Sequence, residues 1–139
     1  MRATLAYKIA SGLLVFFAVA HTFGMLERGT KGPDVDAVVA SMHSVHFNIM
    51  GAQRSLWDFY FGFGMLLTVF LLFSAVLAWQ LGGLARESAA AARRLAGPFA
   101  ACQVVVAVFG WTHFFLAPAI TSTLIAALTG LAASQLGRQ

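Results

Sequence analysis

The chain has 139 residues, of which 60% are hydrophobic and 10% charged, and its mean hydropathy is +0.81. A chain with so few charges cannot cover an apolar core with polar surface, so its composition excludes an ordinary soluble domain and predicts an integral membrane protein. Its net charge of +4 comes from basic residues that flank apolar runs, so we expect no nucleic-acid partner. Cys102 is the single cysteine, which excludes an intramolecular disulfide.

Four apolar stretches predict an all-α fold in which four transmembrane helices form a bundle, as one membrane domain over residues 1–139. We expect the spans at residues 5–26, 56–83, 98–116 and 119–136. The second is the clearest, because residues 59–80 carry no charge. Trp57 and Trp79 bracket it about 33 Å apart along a helix, so each indole should lie at one membrane interface.

A more polar segment separates the first two spans. Pro33 and Asp34 favour a helix start, and the apolar residues that follow recur at helical spacing: Val35, Val38, Val39, Met42, Val45, Ile49 and Met50. The pattern predicts an amphipathic helix over residues 35–50 that ends at Gly51. It is too short and too polar to span, so we expect it to lie at the membrane interface.

Local signals predict several span ends. Ser55 and Asp58 have the spacing of a capping box at the start of the second span, and the pair Gly82-Gly83 should end that span. Pro98 suits the first turn of the third span, and Ala117-Pro118 favours a turn before the fourth.

The fourth span carries small residues at every fourth position, namely Ala126, Gly130 and Ser134. Such a stripe allows helices to approach closely. It predicts packing against the other spans, a second copy of the chain, or a larger membrane complex.

The basic residues predict the orientation of the chain. Of the nine, six lie at the termini or between spans two and three: Arg2, Lys8, Arg86, Arg93, Arg94 and Arg138. The other three, Arg28, Lys31 and Arg54, lie in the first loop. The excess predicts cytoplasmic termini and an outward-facing first loop, as in a bacterial inner-membrane protein.

With this orientation all four histidines fall in the outer half of the protein, near the charges of the second span. Ionisable residues inside a membrane are costly and are functional candidates by default. We therefore predict a site for a hydrophobic or lipid-like ligand, in which Asp58 and a histidine act as polar anchors or as an acid/base pair. Its candidate residues are His21, Arg54, Trp57, Asp58, Trp111 and His113.

Simpler and alternative roles stay open for these residues. Asp58 can serve only as a helix cap or pair with Arg54, and His21 can serve only as a packing hydrogen bond. His43 and His46 have a spacing that chelates a metal on a helix. His21 and His113 could hold a haem between two helices. A non-catalytic accessory subunit of a larger membrane complex is the alternative function.

Four motifs together resemble a family of small, uncharacterised bacterial four-span membrane proteins. They are HTFG at 21–24, MHSVHF at 42–47, RSLWDFYFGFG at 54–64 and FFLAP at 114–118. The likeness covers essentially the entire chain, and RSLWDFYFGFG is its most specific part. It implies the four-span architecture and no particular activity.

Overall fold

The computed structural model describes residues 2–27 and 29–138, so Arg28, which enters the orientation argument, lies outside the described residues. The elements are α1 (Arg2–Leu26), α2 (Pro33–Ser44), β1 (His46–Ile49), β2 (Ala52–Ser55), α3 (Leu56–Glu87), α4 (Ala89–His113) and α5 (Leu116–Leu136). The helices α1, α3, α4 and α5 are long and apolar enough to cross a membrane. Large apolar side chains such as Phe16 and Phe70 are exposed along them, as expected of helices solvated by lipid. The prediction of a four-span integral membrane protein is confirmed at this level.

The chain divides into two compact units. Unit 1 contains the described residues up to Ala18 and from Leu71 onward, and unit 2 contains Val19–Phe70. Both α1 and α3 therefore contribute one part to each unit.

In unit 1, α4 and α5 pack side by side through small residues. Each helix turns one stripe inward: Ala92, Ala96, Phe99, Ala100, Gln103, Ala107 and Gly110 from α4, and Ala119, Ser122, Ile125, Ala126, Thr129, Ala132 and Leu136 from α5. A methyl group added at Gly110 would lie 2.7 Å from Ser122 Oγ and 3.1 Å from Ala119 Cα. The two backbones are therefore in close contact at this position, as small residues in membrane helices allow.

The beginning of α1 packs against the end of α3, also in unit 1. Ser11 Oγ donates a hydrogen bond of 2.8 Å to the Ala75 carbonyl. A methyl group at Gly82 would lie 3.2 Å from the Thr4 carbonyl oxygen and 3.3 Å from Tyr7 Cβ. The predicted helix end at Gly82-Gly83 is wrong, since α3 continues to Glu87. Gly82 instead lets α1 approach.

Three further span limits differ from the prediction. The helix α4 starts at Ala89, where the Ser88 side chain accepts a hydrogen bond from the Ala91 N–H, because the alanine-rich segment before Pro98 is itself helical. Pro98 consequently lies inside α4. The turn between α4 and α5 is formed by Phe114 and Phe115, and Pro118 occupies the first turn of α5, where its missing N–H costs no helical hydrogen bond.

The predicted stripe of small residues on α5 is only partly inward-facing. Ala126 is buried, but Ser134 is exposed, and nothing lies within 4 Å of the methyl position of Gly130. A strict four-residue repeat turns about 40° around a helix at each step, so it leaves the contact face within two steps. The inward-facing small residues follow mixed steps of three and four instead.

Unit 2 contains a β-hairpin that the all-α prediction missed. The strands β1 and β2 are antiparallel, with Ile49 opposite Ala52. Met50 and Gly51 form the two-residue turn with φ of 52° and 87°, and the Gly51 N–H donates to Asn48 Oδ1 at 2.9 Å. Positive φ at both turn residues matches the twist that hairpin strands need.

The helix predicted over residues 35–50 is therefore wrong in its second half. The helix α2 ends at Ser44, and Val45 is already extended. Its first turn is fixed by Asp36, which accepts hydrogen bonds from Thr30 Oγ1 and from the Lys31 N–H. These two bonds, that of Thr30 first, lower the pKa of Asp36. No residue of α2 is buried.

Candidate functional site

The first turn of α3 carries the predicted capping box. The Ser55 N–H donates to Asp58 Oδ2 at 2.8 Å, and the Asp58 N–H donates to Ser55 Oγ at 3.1 Å. This reciprocal pair satisfies two backbone donors that a helix start leaves unpaired. Ser55 is buried and Asp58 is exposed. The carboxylate therefore has a structural role at the end of a span.

The predicted ion pair between Arg54 and Asp58 does not form. Within residues 2–27 and 29–138, the only ion pair joins Lys31 Nζ to Glu27 Oε2, at 4.0 Å. Arg54 Nη1 donates instead to the Gln53 carbonyl at 2.7 Å. The hairpin accounts for this difference, because Arg54 is a strand residue opposite Phe47 rather than part of the helix that contains Asp58.

His21 is hydrogen-bonded to a threonine of α3 and not to Asp58. Its Nδ1 is hydrogen-bonded to Thr68 Oγ1 at 3.1 Å, and the same hydroxyl is 3.0 Å from Thr22 Oγ1. Thr68 is about 15 Å further along α3 than Asp58, so a direct pair between His21 and Asp58 is wrong. We call His21, Thr22 and Thr68 the polar triad.

Beside the polar triad, α1 and α3 run antiparallel, so residues later in α1 meet residues earlier in α3. Met25 lies one turn beyond His21, and its Sδ is 2.8 Å from the methyl position of Gly64. The Met25 side chain therefore fills the space beside Gly64. The methyl positions of Gly24 and Gly62 have no atom within 4 Å.

The helical chelate predicted from His43 and His46 is not formed. His43 is in the last turn of α2, where its ring stacks on Trp57 with centroids 4.5 Å apart. His46 is in β1, and its Nδ1 is 2.9 Å from the Ser44 carbonyl oxygen. The helix ends between the two residues, so they no longer share one face. The described part of the chain brings together no group of three His, Cys, Asp or Glu side chains suited to a metal ion.

Trp57 belongs to an aromatic group at the start of α3. Its ring centroid is 5.5 Å from that of Tyr60 and 6.4 Å from that of Phe61. Together with the His43 stack, these contacts tie α2 to α3. Trp57 therefore has a packing role in unit 2, and a role in ligand binding stays a prediction.

Trp111 and His113 belong to unit 1. Trp111 Nε1 donates to Thr123 Oγ1 at 2.9 Å, which joins α4 to α5. His113 Nδ1 is 2.6 Å from Thr112 Oγ1, and its ring centroid is 5.3 Å from that of Phe109. A role of Trp111 and His113 in ligand binding, and haem ligation by His21 and His113, stay predictions.

The sequence reasoning missed Thr22 and Thr68. Thr68 is the buried polar residue of an otherwise apolar helix, with 8% of its surface exposed. Its position within residues 59–80, a stretch without charge, is the signal that was available, since polar groups in a span find a partner within the protein. Only the pairing of α1 with α3 identifies that partner.

The capping box leads to a first prediction. Ser55→Ala should destabilise the protein by about 1 kcal/mol, because it leaves a donor at the start of α3 unpaired. Asp58→Asn keeps an acceptor oxygen and should be milder than Asp58→Ala. Thermal unfolding in detergent, followed by circular dichroism, measures the order of the three variants. Equal stability of Asp58→Asn and Asp58→Ala would contradict a capping role.

His21 is a polar position with binding capacity in unit 2. His21 is half-buried, its Nδ1 is oriented by Thr68, and no hydrogen bond among the described residues involves its Nε2. A ring held in this way can donate to or accept from a polar group of a ligand. Comparison with known proteins adds no relative: no family model, curated protein or solved structure matches the chain.

Proposed function

We propose that this integral membrane protein binds a hydrophobic or lipid-like ligand in unit 2, with His21 as its polar anchor. The observation that carries the proposal is the hydrogen bond between His21 Nδ1 and Thr68 Oγ1, which orients the imidazole and leaves Nε2 without a partner among the described residues. Polar groups within spans are costly and mark binding sites more often than polar groups at the surface do. Ser11, by contrast, uses its single hydroxyl to bond the Ala75 carbonyl.

The depth of His21 favours an amphipathic ligand. Leu26, the last residue of α1, lies five positions beyond His21, which places His21 about 7.5 Å from that end along the helix. A lipid carries its ester or hydroxyl groups close to this depth, and its chains continue toward the bilayer centre. A shallow depression of about 390 Å³ at the end of α1 is lined by Phe23, Gly24, Leu26 and Glu27, which follow His21 in the chain. Its apolar lining and single carboxylate suit a molecule with one polar group.

Binding is better supported than acid/base catalysis. The predicted catalytic pair required Asp58 beside a histidine, but the Asp58 carboxylate accepts from the Ser55 N–H and lies about 15 Å along α3 from Thr68. Arg54 likewise bonds a backbone carbonyl. The proposed site therefore consists of the polar triad, with Asp58 and Arg54 outside it.

The experiment measures the lipid that co-purifies with variants of the polar triad. His21→Leu removes the anchor, and Thr68→Val removes the hydroxyl that orients it, so both should lower the amount of bound ligand per protein. For His21→Leu we expect a decrease of about tenfold, which corresponds to the loss of one hydrogen bond to the ligand. The double variant should bind no less than His21→Leu alone, because both changes act on one interaction.

Ser11→Ala is the matched control, because it removes a hydrogen bond between the same two helices within unit 1. It should leave ligand content unchanged. Equal ligand loss in Ser11→Ala and His21→Leu would show that helix packing, and not the imidazole, retains the lipid. A stoichiometric protein that co-purifies in place of a small molecule would instead favour an accessory subunit.

The proposal includes an orientation with both termini in the cytoplasm of a bacterial cell and the loop between the first two spans toward the periplasm. The excess of basic residues at the termini and between α3 and α4 supports it. A reporter that is active only in the periplasm should work when inserted beside Lys31 and stay silent when fused to the C-terminus. The opposite pattern would place the ligand site on the cytoplasmic side.

We also propose that α2 lies at the membrane interface. It buries no residue, and its apolar side chains Val35 and Val38 are exposed. The preceding span α1 ends at Leu26 and the following span α3 begins at Leu56, so short connections keep α2 close to the bilayer. Membership of the four-span family that the motifs resemble remains part of this proposal.

A further inference from the structure

Six basic residues collect at one end of unit 1. Gly82 of α3 packs on Thr4 and Tyr7 of α1, which places the start of α1 beside the end of α3. Only Ser88 separates α3 from α4, and α5 packs back along α4 from the Gly110 contact. The start of α1, the end of α3, the start of α4 and the end of α5 therefore lie together. We call this region the basic end; its cations are Arg2, Lys8, Arg86, Arg93, Arg94 and Arg138.

The charges of the basic end are not neutralised by the protein. Glu87 is the one acidic residue among the described residues of unit 1. No basic nitrogen of these residues lies within 4.0 Å of a carboxylate oxygen, because the ion pair found in the described chain is Lys31–Glu27 of unit 2. The arginines of α3 and α4 are exposed. Arg93 and Arg94 also lie near the start of α4, which has no acidic residue in its first turn. The positive end of the helix dipole, in the turn formed by residues 89–92, therefore has no acidic side chain to compensate it.

The depth of these cations matches that of lipid phosphates. Lys8 Nζ lies 4.8 Å from the centre of the Trp79 ring, a cation–π contact. Tryptophan prefers the membrane interface, so this contact holds the ammonium at headgroup level. Arg86 lies four residues beyond Gly82, and Arg93 and Arg94 precede the apolar part of α4. The cations of the basic end therefore lie where the helices pass from the hydrocarbon core of the bilayer into the headgroup region.

We propose that the basic end binds the headgroups of anionic phospholipids, beyond the general attraction of a positive loop to a membrane. Guanidinium groups bind phosphate oxygens in a bidentate geometry and are the side chains best suited to such headgroups. A lipid phosphate would compensate both the unpaired guanidinium groups and the positive start of α4. This inference does not depend on the ligand of the polar triad, since it concerns residues of unit 1 alone.

Native mass spectrometry from nanodiscs tests the proposal. The full-length protein is reconstituted in equal amounts of phosphatidylglycerol and phosphatidylcholine, and the lipids that remain bound are counted. Phosphatidylglycerol should be enriched over its bulk share, and Arg93→Gln with Arg94→Gln should reduce the enrichment about fivefold for each arginine removed. The charge-matched control Lys31→Gln removes a cation outside the basic end and should leave the enrichment unchanged.

Further arms distinguish the alternatives. Arg93→Lys with Arg94→Lys keeps the charge and should retain part of the phosphatidylglycerol enrichment. Raising the salt concentration should weaken the enrichment in the unmodified protein, a test that does not depend on any variant folding. Free inorganic phosphate should not displace the lipid; displacement would assign the site to a soluble anion and overturn the proposal. Equal binding of the two lipids by the unmodified protein would overturn it as well.

Discussion

Gly110→Val should separate α4 from α5 and destabilise the protein by about 3 kcal/mol. The first added carbon would lie 2.7 Å from Ser122 Oγ and 3.1 Å from Ala119 Cα, distances at which one helix must move. The second contact is to backbone, so no side-chain rotation relieves it. Loss of the close approach also removes the van der Waals contacts on which membrane helices depend. Thermal unfolding in detergent measures the change.

Gly130→Ala is the matched control on α5. Nothing lies within 4 Å of its methyl position, so the substitution should be neutral or raise the free energy of unfolding by up to about 1 kcal/mol through helix propensity. A large loss at Gly130 together with tolerance at Gly110 would contradict the described α4–α5 face. It would instead favour docking of a second chain on the predicted stripe.

Tyr7 should give the second large effect, with opposite signs for two substitutions. Its side chain is fully buried in unit 1, and its hydroxyl has no hydrogen-bond partner among the described residues. Burying an unpaired polar group is costly, so Tyr7→Phe should stabilise the protein by about 1 kcal/mol. Tyr7→Ala leaves a cavity between α1 and α3 and should cost about 3 kcal/mol or more.

The comparison of the two Tyr7 variants separates packing from hydrogen bonding. Ile9→Ala serves as the control, because Ile9 lies on the same helix and is 46% exposed, so that its truncation should have little effect. Destabilisation by Tyr7→Phe, measured by the same unfolding assay, would mean that the hydroxyl bonds a lipid or a water in the membrane.

The spans were predictable because a membrane helix is encoded locally. A long run without charge, such as residues 59–80, is sufficient evidence for a span whatever it packs against. The ends were less predictable, since glycine and proline have several roles. Gly82 has the composition of a helix end, but the approach of Tyr7 requires its small size. Pro98 lies within a helix because the alanines before it form helix strongly.

The hairpin was missed because its turn lacks the usual residues. An Asn-Gly or Asp-Gly pair would have signalled it, but Met50 occupies the first position at φ 52°. The apolar residues on either side fit a helical repeat over so short a segment, so periodicity alone favoured the wrong element.

In the candidate site, too, contacts between residues close in the chain were predictable and contacts formed by helix packing were not. The capping box of Ser55 and Asp58 was predictable, because it depends on residues three apart in the chain. The partner of His21 was not, because Thr68 lies 47 residues away in sequence and meets it only through helix packing. The sequence identifies His21 as a titratable residue within an apolar stretch, but its partner Thr68 is identified only by the fold.

Native mass spectrometry of the unmodified protein, released directly from membranes, tests the proposed function most directly. It reports bound lipid, haem, metal and protein partners in one spectrum. We expect one small lipid-like molecule per chain in addition to the phospholipids bound at the basic end, and we expect His21→Leu to lose that molecule while keeping those phospholipids. A bare chain, a haem or a stoichiometric protein partner in place of that molecule would contradict the proposed function.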